Sequence, residues 1–369
     1  MEKNREILPE KLKKRMEAIW NFDYEERFGI CITGPLDPEK WDSSRIERPD
    51  DPTELESYYT DPEYMHERAL YALNNQYYAG DAFPTLFPFC GTAGHVKYYP
   101  IDIVYKKETI WFFPKFDSLS AIPIQFDENN PAFLQERNCL MRLAKLSDRL
   151  YSVAQPDNCG SIDMLAQLIG PDNLMMEMIT EPDLVSDYIN GAVDTLVRSG
   201  DQFIDLLRPT CDGGSCHGWM NLWSPGKMMQ LQCDLSVMLS PEMFERFVMP
   251  ELERTTAWLD HSVYHLDGQE QIRHLDMLLS LPKLNMIQWQ PVAGQPPITD
   301  FIPVLQRIQK AGKGLVLRCW PHEVEVLTSA LDPRGVMLVC KDHSMTQNEA
   351  QDLVNFISKA SCSKCRKGI

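Results

Sequence analysis

Tyr264-His265-Leu266-Asp267-Gly268 sets an imidazole and a carboxylate two residues apart at the end of an apolar run. In a strand, positions i and i+2 project to one side, so His265 and Asp267 are expected together. That pair suits a zinc half-site or general acid–base work. The plain alternative is an aspartate that orients a buried histidine or caps the next helix. Cys319 and Cys340 end two later apolar runs, and a thiolate beside the pair would make an open catalytic zinc site. Each cysteine also reads as a small buried hydrophobe. Cys211-Asp212-Gly213-Gly214-Ser215-Cys216-His217 suits either a ligand-binding loop, with His217 facing the ligand, or an exposed turn. Asp234, in Gln232-Cys233-Asp234, is read as a proton acceptor, a partner for a cationic substrate group or a cap, with a polar contact near the site preferred. Trp219, Trp223, Trp289 and Trp320 fall near expected strand ends, where they wall a pocket or pack a barrel.

The elements that position these residues are read from short apolar runs. The runs begin at Val263, Met286, Leu315 and Val336, about 23, 29 and 21 residues apart. That is the pitch of strand, crossover helix and parallel strand. Similar runs occur at Asp81-Ala82-Phe83, Ser152-Val153-Ala154 and Phe203-Ile204-Asp205-Leu206. Seven or eight such units favour a (β/α)8 barrel with its site at the C-terminal rim, an open doubly wound sheet being the alternative. Gly29-Ile30-Cys31-Ile32-Thr33 reads as one more short strand, and residues 36–62 as loop with short helices. Ser240-Pro241-Glu242 marks a helix start by N-cap hydroxyl, first-turn proline and early acid, and Pro250 is expected to break that helix. The expected division is an N-terminal helical extension over residues 1–74, a barrel over 75–358 and a polar tail over 359–369, in which Cys362-Ser363-Lys364-Cys365 is half of a zinc knuckle with no second half and reads as loose polar tail.

Composition narrows the function classes. The formal charge is −17, from 36 basic and 53 acidic residues, which disfavours nucleic-acid binding through a basic surface. The sequence has no apolar run of about 18 residues and no signal-peptide pattern at its start, so a cytoplasmic location without membrane insertion is expected. The 11 cysteines then read as thiols. The phosphate-loop, dinucleotide-fold, His-Glu-x-x-His and Gly-x-Ser-x-Gly patterns are missing from the sequence.

Taken together, several segments resemble the uroporphyrinogen decarboxylase superfamily, which includes zinc-dependent methyltransferases that use corrinoid proteins. Asp81-Ala82-Phe83-Pro84 resembles its early strand-end aspartate region. Gln155-Pro156-Asp157 through Ser161-Ile162-Asp163-Met164-Leu165 resembles its second active-site loop. Leu239-Ser240-Pro241-Glu242-Met243-Phe244 through Pro250 resembles its Ser-Pro-x-x-Phe…Pro helix, and Tyr264-His265-Leu266-Asp267-Gly268 stands where the methyltransferases carry His-x-Cys-Gly. The likeness spans roughly residues 75–355. The arginine-rich N-terminal loop of the true decarboxylases has no counterpart in Asn21-Phe22-Asp23-Tyr24-Glu25-Glu26-Arg27, so activity on uroporphyrinogen is not expected.

The resemblance implies methyl transfer on a small molecule, zinc-assisted and linked to a corrinoid protein or methylcobalamin. It implies His265, Asp267 and Cys340 as zinc ligands and Asp81, His265 and Asp234 as catalytic groups. His217, Trp223, Trp289 and Asp163 are the expected substrate contacts. A carboxy-lyase using Asp81 or His265, and a non-catalytic ligand-binding barrel, are the rival readings. The oligomeric state is left open.

Overall fold

The computed structural model describes residues 7–24, 26–37, 39–40, 48–92, 94–341 and 344–365. Among these residues the strands are β1 (Gly29–Pro35), β2 (Gln76–Gly80), β3 (Thr85–Leu86), β4 (Asp102–Tyr105), β5 (Ile110–Phe113), β6 (Ser152–Val153) and β7 (Ser215–His217). They continue with β8 (Leu222–Ser224), β9 (Met228–Gln232), β10 (His261–Asp267), β11 (Met286–Gln290), β12 (Gly314–Arg318) and β13 (Val336–Lys341). Thirteen α-helices accompany them. None among the described residues is long and apolar enough to cross a membrane.

A seven-stranded sheet runs in the order β2-β1-β13-β12-β11-β10-β9. Its pairings are parallel except for β2, which lies antiparallel on β1. β3 and β6 form a separate parallel pair. The chain is therefore a mixed α/β protein, and among the described residues hydrogen bonds do not close a ring of strands. With two residues each, β3 and β6 are too short to ladder on both sides. On one flank a side chain spans the interval, where Gln155 Nε2 donates to Met228 O at 2.9 Å.

The pleat divides the sheet's residues into two sets. Leu231, Tyr264, Leu266, Ile287, Trp289, Leu315, Leu317, Leu338 and Cys340 join the large core formed with the helices. The alternate positions face inward in two tiers. The lower tier is apolar: Cys31, Met228, Val263, Met286, Val316 and Met337. The upper tier, toward the strands' C-terminal ends, is mostly polar: Gln230, Gln232, His265, Gln288, Gln290 and Arg318 line a cavity there with Val316 and Val339.

The helix Glu10–Trp20 packs Leu12, Met16, Ile19 and Trp20 into the lower core. Its Arg15 is buried there and donates Nε to Asp81 Oδ1 at 2.8 Å. Arg27 donates to both oxygens of Asp81, at 2.7 and 3.0 Å, and the Ile30 N–H adds a fourth bond at 2.9 Å. Asp81 thus clamps the N-terminal end of β1, the end opposite the polar tier.

Several sequence expectations change. β1 belongs to the sheet itself, so residues 1–74 are not merely packed on it. Phe203-Ile204-Asp205-Leu206 lies inside the helix Pro182–Leu207, because Ile189, Val193, Leu196, Phe203, Ile204 and Leu207 recur at helical spacing on its buried face. Asp81-Ala82-Phe83 is the link between β2 and β3 rather than a strand. The helix start at Ser240 is found as expected, with Ser240 Oγ accepting from Met243 N and a new helix, Met249–Trp258, containing Pro250. Within the expected tail, the helix Gln347–Cys365 continues through 359–365, and 366–369 lie outside the described residues.

Candidate functional site

β10 delivers His265 and Asp267 to one face, as their spacing requires, with His265 Nε2 3.9 Å from Asp267 Oδ1. Asp234 joins them from the turn after β9. One ligand atom from each of Asp234, His265 and Asp267 lies within 4.8 Å of the others, a group able to hold a metal ion. Asp234 and His265 line a cavity of about 310 Å³ together with Asp157, Trp219, Gln230, Gln232, Gln288, Gln290 and Arg318.

Neighbouring amides set the trio's chemistry. Gln288 Nε2 donates to Trp289 O at 2.8 Å, which turns Gln288 Oε1 toward His265 Nδ1. An amide oxygen only accepts, so Nδ1 carries a proton, and the neutral form of the imidazole then presents its Nε2 lone pair on the side of Asp267. Gln230 Nε2 donates to Gln232 Oε1, and Gln232 Nε2 to Asp234 Oδ2 at 3.3 Å. Asp234 Oδ1 and Gln230 Oε1 remain buried without a hydrogen-bond partner. An unmatched buried acceptor is costly, and a cation beside Asp234 Oδ1 would relieve that cost.

Burial raises the Asp234 carboxyl above its usual range; His265 opposes the shift and Asp267 adds to it. Asp157 is pushed up to about 8, first by burial and then by the charge of Asp234. Asp163 also shifts upward, by burial and by Asp234. Its two oxygens accept the N–H groups of Asp234 at 2.9 Å and Leu235 at 2.8 Å. Asp163 therefore holds the turn that carries Asp234 and is already occupied, rather than free for a substrate.

The other expected site residues stand elsewhere. Asp81 is saturated by Arg15, Arg27 and Ile30 at the far end of the strands. Cys340 lies on the helix-facing side of β13, one residue after the cavity-lining Val339. Cys319 packs in the same helix-side core, and burial pushes its thiol well up, against thiolate formation. Trp289 also faces the helices, against Phe301 at 4.6 Å. Trp223 is in the lower core, where its Nε1 donates to Cys211 O and its carbonyl accepts from Trp20. His217 does not line the cavity. It packs edge-on to Trp219 at 5.1 Å, and Trp219 in turn meets His265 edge-on at 5.6 Å.

Sequence reasoning did not single out the glutamine tier or assign a role to Asp157. The glutamines had a legible signal: Gln230-x-Gln232 and Gln288-x-Gln290 repeat the two-residue period inside otherwise apolar runs.

No protein-family model matches the sequence, and no curated protein matches it. Among solved structures the chain is similar to a methyltransferase from Methanosarcina mazei, with a TM-score of 0.60 and 14% identity. The match covers 94% of this chain and 98% of that one. At that identity the likeness extends to the fold alone.

Proposed function

We propose that the chain is a zinc-assisted methyltransferase acting on a small molecule with a corrinoid protein or methylcobalamin as partner. We read the scaffold as a (β/α)8 barrel in which β3 and β6 occupy the arc between the β2–β1 edge and β9. The observation that carries the reading is the Asp234–His265–Asp267 trio at the C-terminal ends of parallel strands, where barrel enzymes build their sites. The methyltransferase fold of the Methanosarcina mazei protein is consistent with it.

The residues fit a zinc ion. Two carboxylates and an imidazole with its Nε2 lone pair exposed supply three ligands, which leaves a fourth position open. The orphaned Asp234 Oδ1 is the acceptor such an ion would satisfy. This ligand set keeps His265 and Asp267 from the sequence expectation and replaces Cys340 by Asp234. Zinc, when bound, lowers the pKa of a coordinated thiol or water so that a nucleophile exists at neutral pH. Gln288 fixes the imidazole tautomer, as outer partners of metal-bound histidines do. Trp219 shields one side of the ring from water. Arg318 places a positive charge on the cavity wall, suited to a substrate with an anionic end. Asp157, protonated up to about pH 8, offers an O–H donor in the same cavity.

The test is elemental analysis of untagged protein purified without chelator, followed by methyl exchange with methylcobalamin read from the corrinoid spectrum. Near one equivalent of zinc is expected, lost in Asp234→Ala, His265→Ala and Asp267→Ala together with exchange. A metal-free protein that turns over a small carboxylate would replace this reading with a carboxy-lyase. A metal-free protein that only binds ligands would make it a binding barrel.

A further inference from the structure

A second cavity, of about 560 Å³, opens between the β2–β1 edge of the sheet and β3, which are not paired among the described residues. Its volume is within the range of ligand pockets, roughly 300–1,000 Å³. Val339 lines both cavities, and Gly218 on this wall adjoins Trp219 on the other.

Two features distinguish its lining. One is a pair of guanidiniums, Arg48 and Arg68. Arg68 donates to Tyr58 O at 2.8 Å and lies 3.5 Å above the Tyr58 ring. Arg48 donates to the carbonyls of Lys107 and Glu108 at 2.8 and 2.6 Å. Neither forms an ion pair among the described residues, and most of the five N–H groups on each lack a protein acceptor. Burial disfavours the charge on Arg68, Tyr58 and Tyr64 oppose that effect, and the neighbouring Arg48 adds a smaller repulsion. Glu108 is the one acid among the described residues of the wall. In a chain of net charge −17, two guanidiniums on one cavity wall make a local positive patch suited to an anionic group. The second feature is the ring wall. Tyr58 and Tyr59 meet edge-on at 5.1 Å, Tyr59 lies 6.1 Å from Phe89, and Phe89 lies 6.3 Å from Phe87.

We infer that this cavity binds an aromatic acid, its carboxylate held between Arg48 and Arg68 and its ring against Tyr58, Tyr59, Phe87 and Phe89. Guanidinium forks match carboxylate geometry, and offset or edge-on ring contacts favour a flat ligand over an aliphatic one.

The inference does not require the metal reading, so its test uses the full-length protein in the presence of chelator. Binding of benzoate, 2-naphthoate, their amides, hexanoate and inorganic phosphate is measured by isothermal titration calorimetry. Saturable binding of an aromatic acid is expected, at least about tenfold tighter than its amide and than hexanoate or phosphate. Arg48→Met and Arg68→Met, each checked for native circular dichroism, should weaken the acid about tenfold or more and leave the amide unchanged. Equal affinity for acid and amide overturns the proposal, and because it needs no variant, a misfolded substitution cannot hide it. Phosphate or hexanoate binding as tightly as the aromatic acids also overturns it, as does an unweakened Arg68→Met.

Discussion

Gln288→Leu isolates the step on which the metal reading depends. Gln288 is fully buried, and its Oε1 is the acceptor for His265 Nδ1–H. Leucine keeps the bulk but removes the acceptor. Nδ1–H then lacks its partner, the imidazole loses its fixed tautomer, and Nε2 is no longer held toward Asp267. The His265 side chain is 12% exposed, so water replaces the lost acceptor poorly. Losses from such outer partners run to roughly 10–100-fold in metal affinity, or about 1.4–2.7 kcal/mol. Gln288→Glu should act in the opposite sense, because a carboxylate accepts the same proton and makes Nε2 a stronger donor. Zinc affinity is read by competition with a chromophoric chelator at one fixed pH, with circular dichroism as the folding control. If Gln288→Leu binds zinc as tightly as the parent and Gln288→Glu binds no tighter, His265 does not ligate through Nε2 and the tautomer argument fails.

Cys340→Ser should leave zinc content and affinity unchanged, since the thiol faces the helices; loss of zinc by elemental analysis would put a thiolate back in the site. Asp81→Asn should destabilise the fold by about 3–5 kcal/mol in urea unfolding, because Arg15 and Arg27 lose a buried partner. The protein that stays folded should keep its zinc. In metal-free protein, Asp157 holds a proton up to about pH 8 when folded and releases it near the usual 3.8 when unfolded. Its contribution to stability is therefore present below about pH 4 and lost as pH rises to about 8. Asp157→Asn should flatten the fall of the urea midpoint across that window by up to about 1.4 kcal/mol per pH unit. A slope identical to the parent's would place the Asp157 pKa outside it.

The parts of the fold that were legible have strong local signals. β10 to β13 announce themselves as apolar runs at crossover spacing, and Ser240-Pro241 announces its helix by capping chemistry. Phe203-Ile204-Asp205-Leu206 misled because four residues cannot separate a strand from one turn of a buried helix. The same distinction governs the site. In β10 polar His265 and Asp267 alternate with apolar Tyr264 and Leu266, so the inner face can be read directly. In β13, Val336-Met337-Leu338-Val339-Cys340 is apolar throughout, and nothing local says which residues face inward. Only the register against β1 and β12 turns Val339 in and Cys340 out. Asp234 was recognised as polar and near the site, but its meeting with β10 depends on Asp163, 71 residues earlier, tying down its backbone.

The two-tier inner face has a consequence for reshaping this protein. Same-face neighbours on a strand are about 6.6 Å apart, so along β9 and β11 one repeat separates Gln230 from Met228 and Gln288 from Met286. Thioether side chains adapt to altered neighbours at small cost. Gln230 and Gln290 can therefore be exchanged to reshape the cavity while the methionines take up the change in shape, whereas Gln232 and Gln288 are tied to Asp234 and His265. Cavity lining and core packing fall largely to different residues of these strands, with Val316 and Val339 serving both, which makes β9 to β12 a region where the cavity can be reshaped without rebuilding the scaffold.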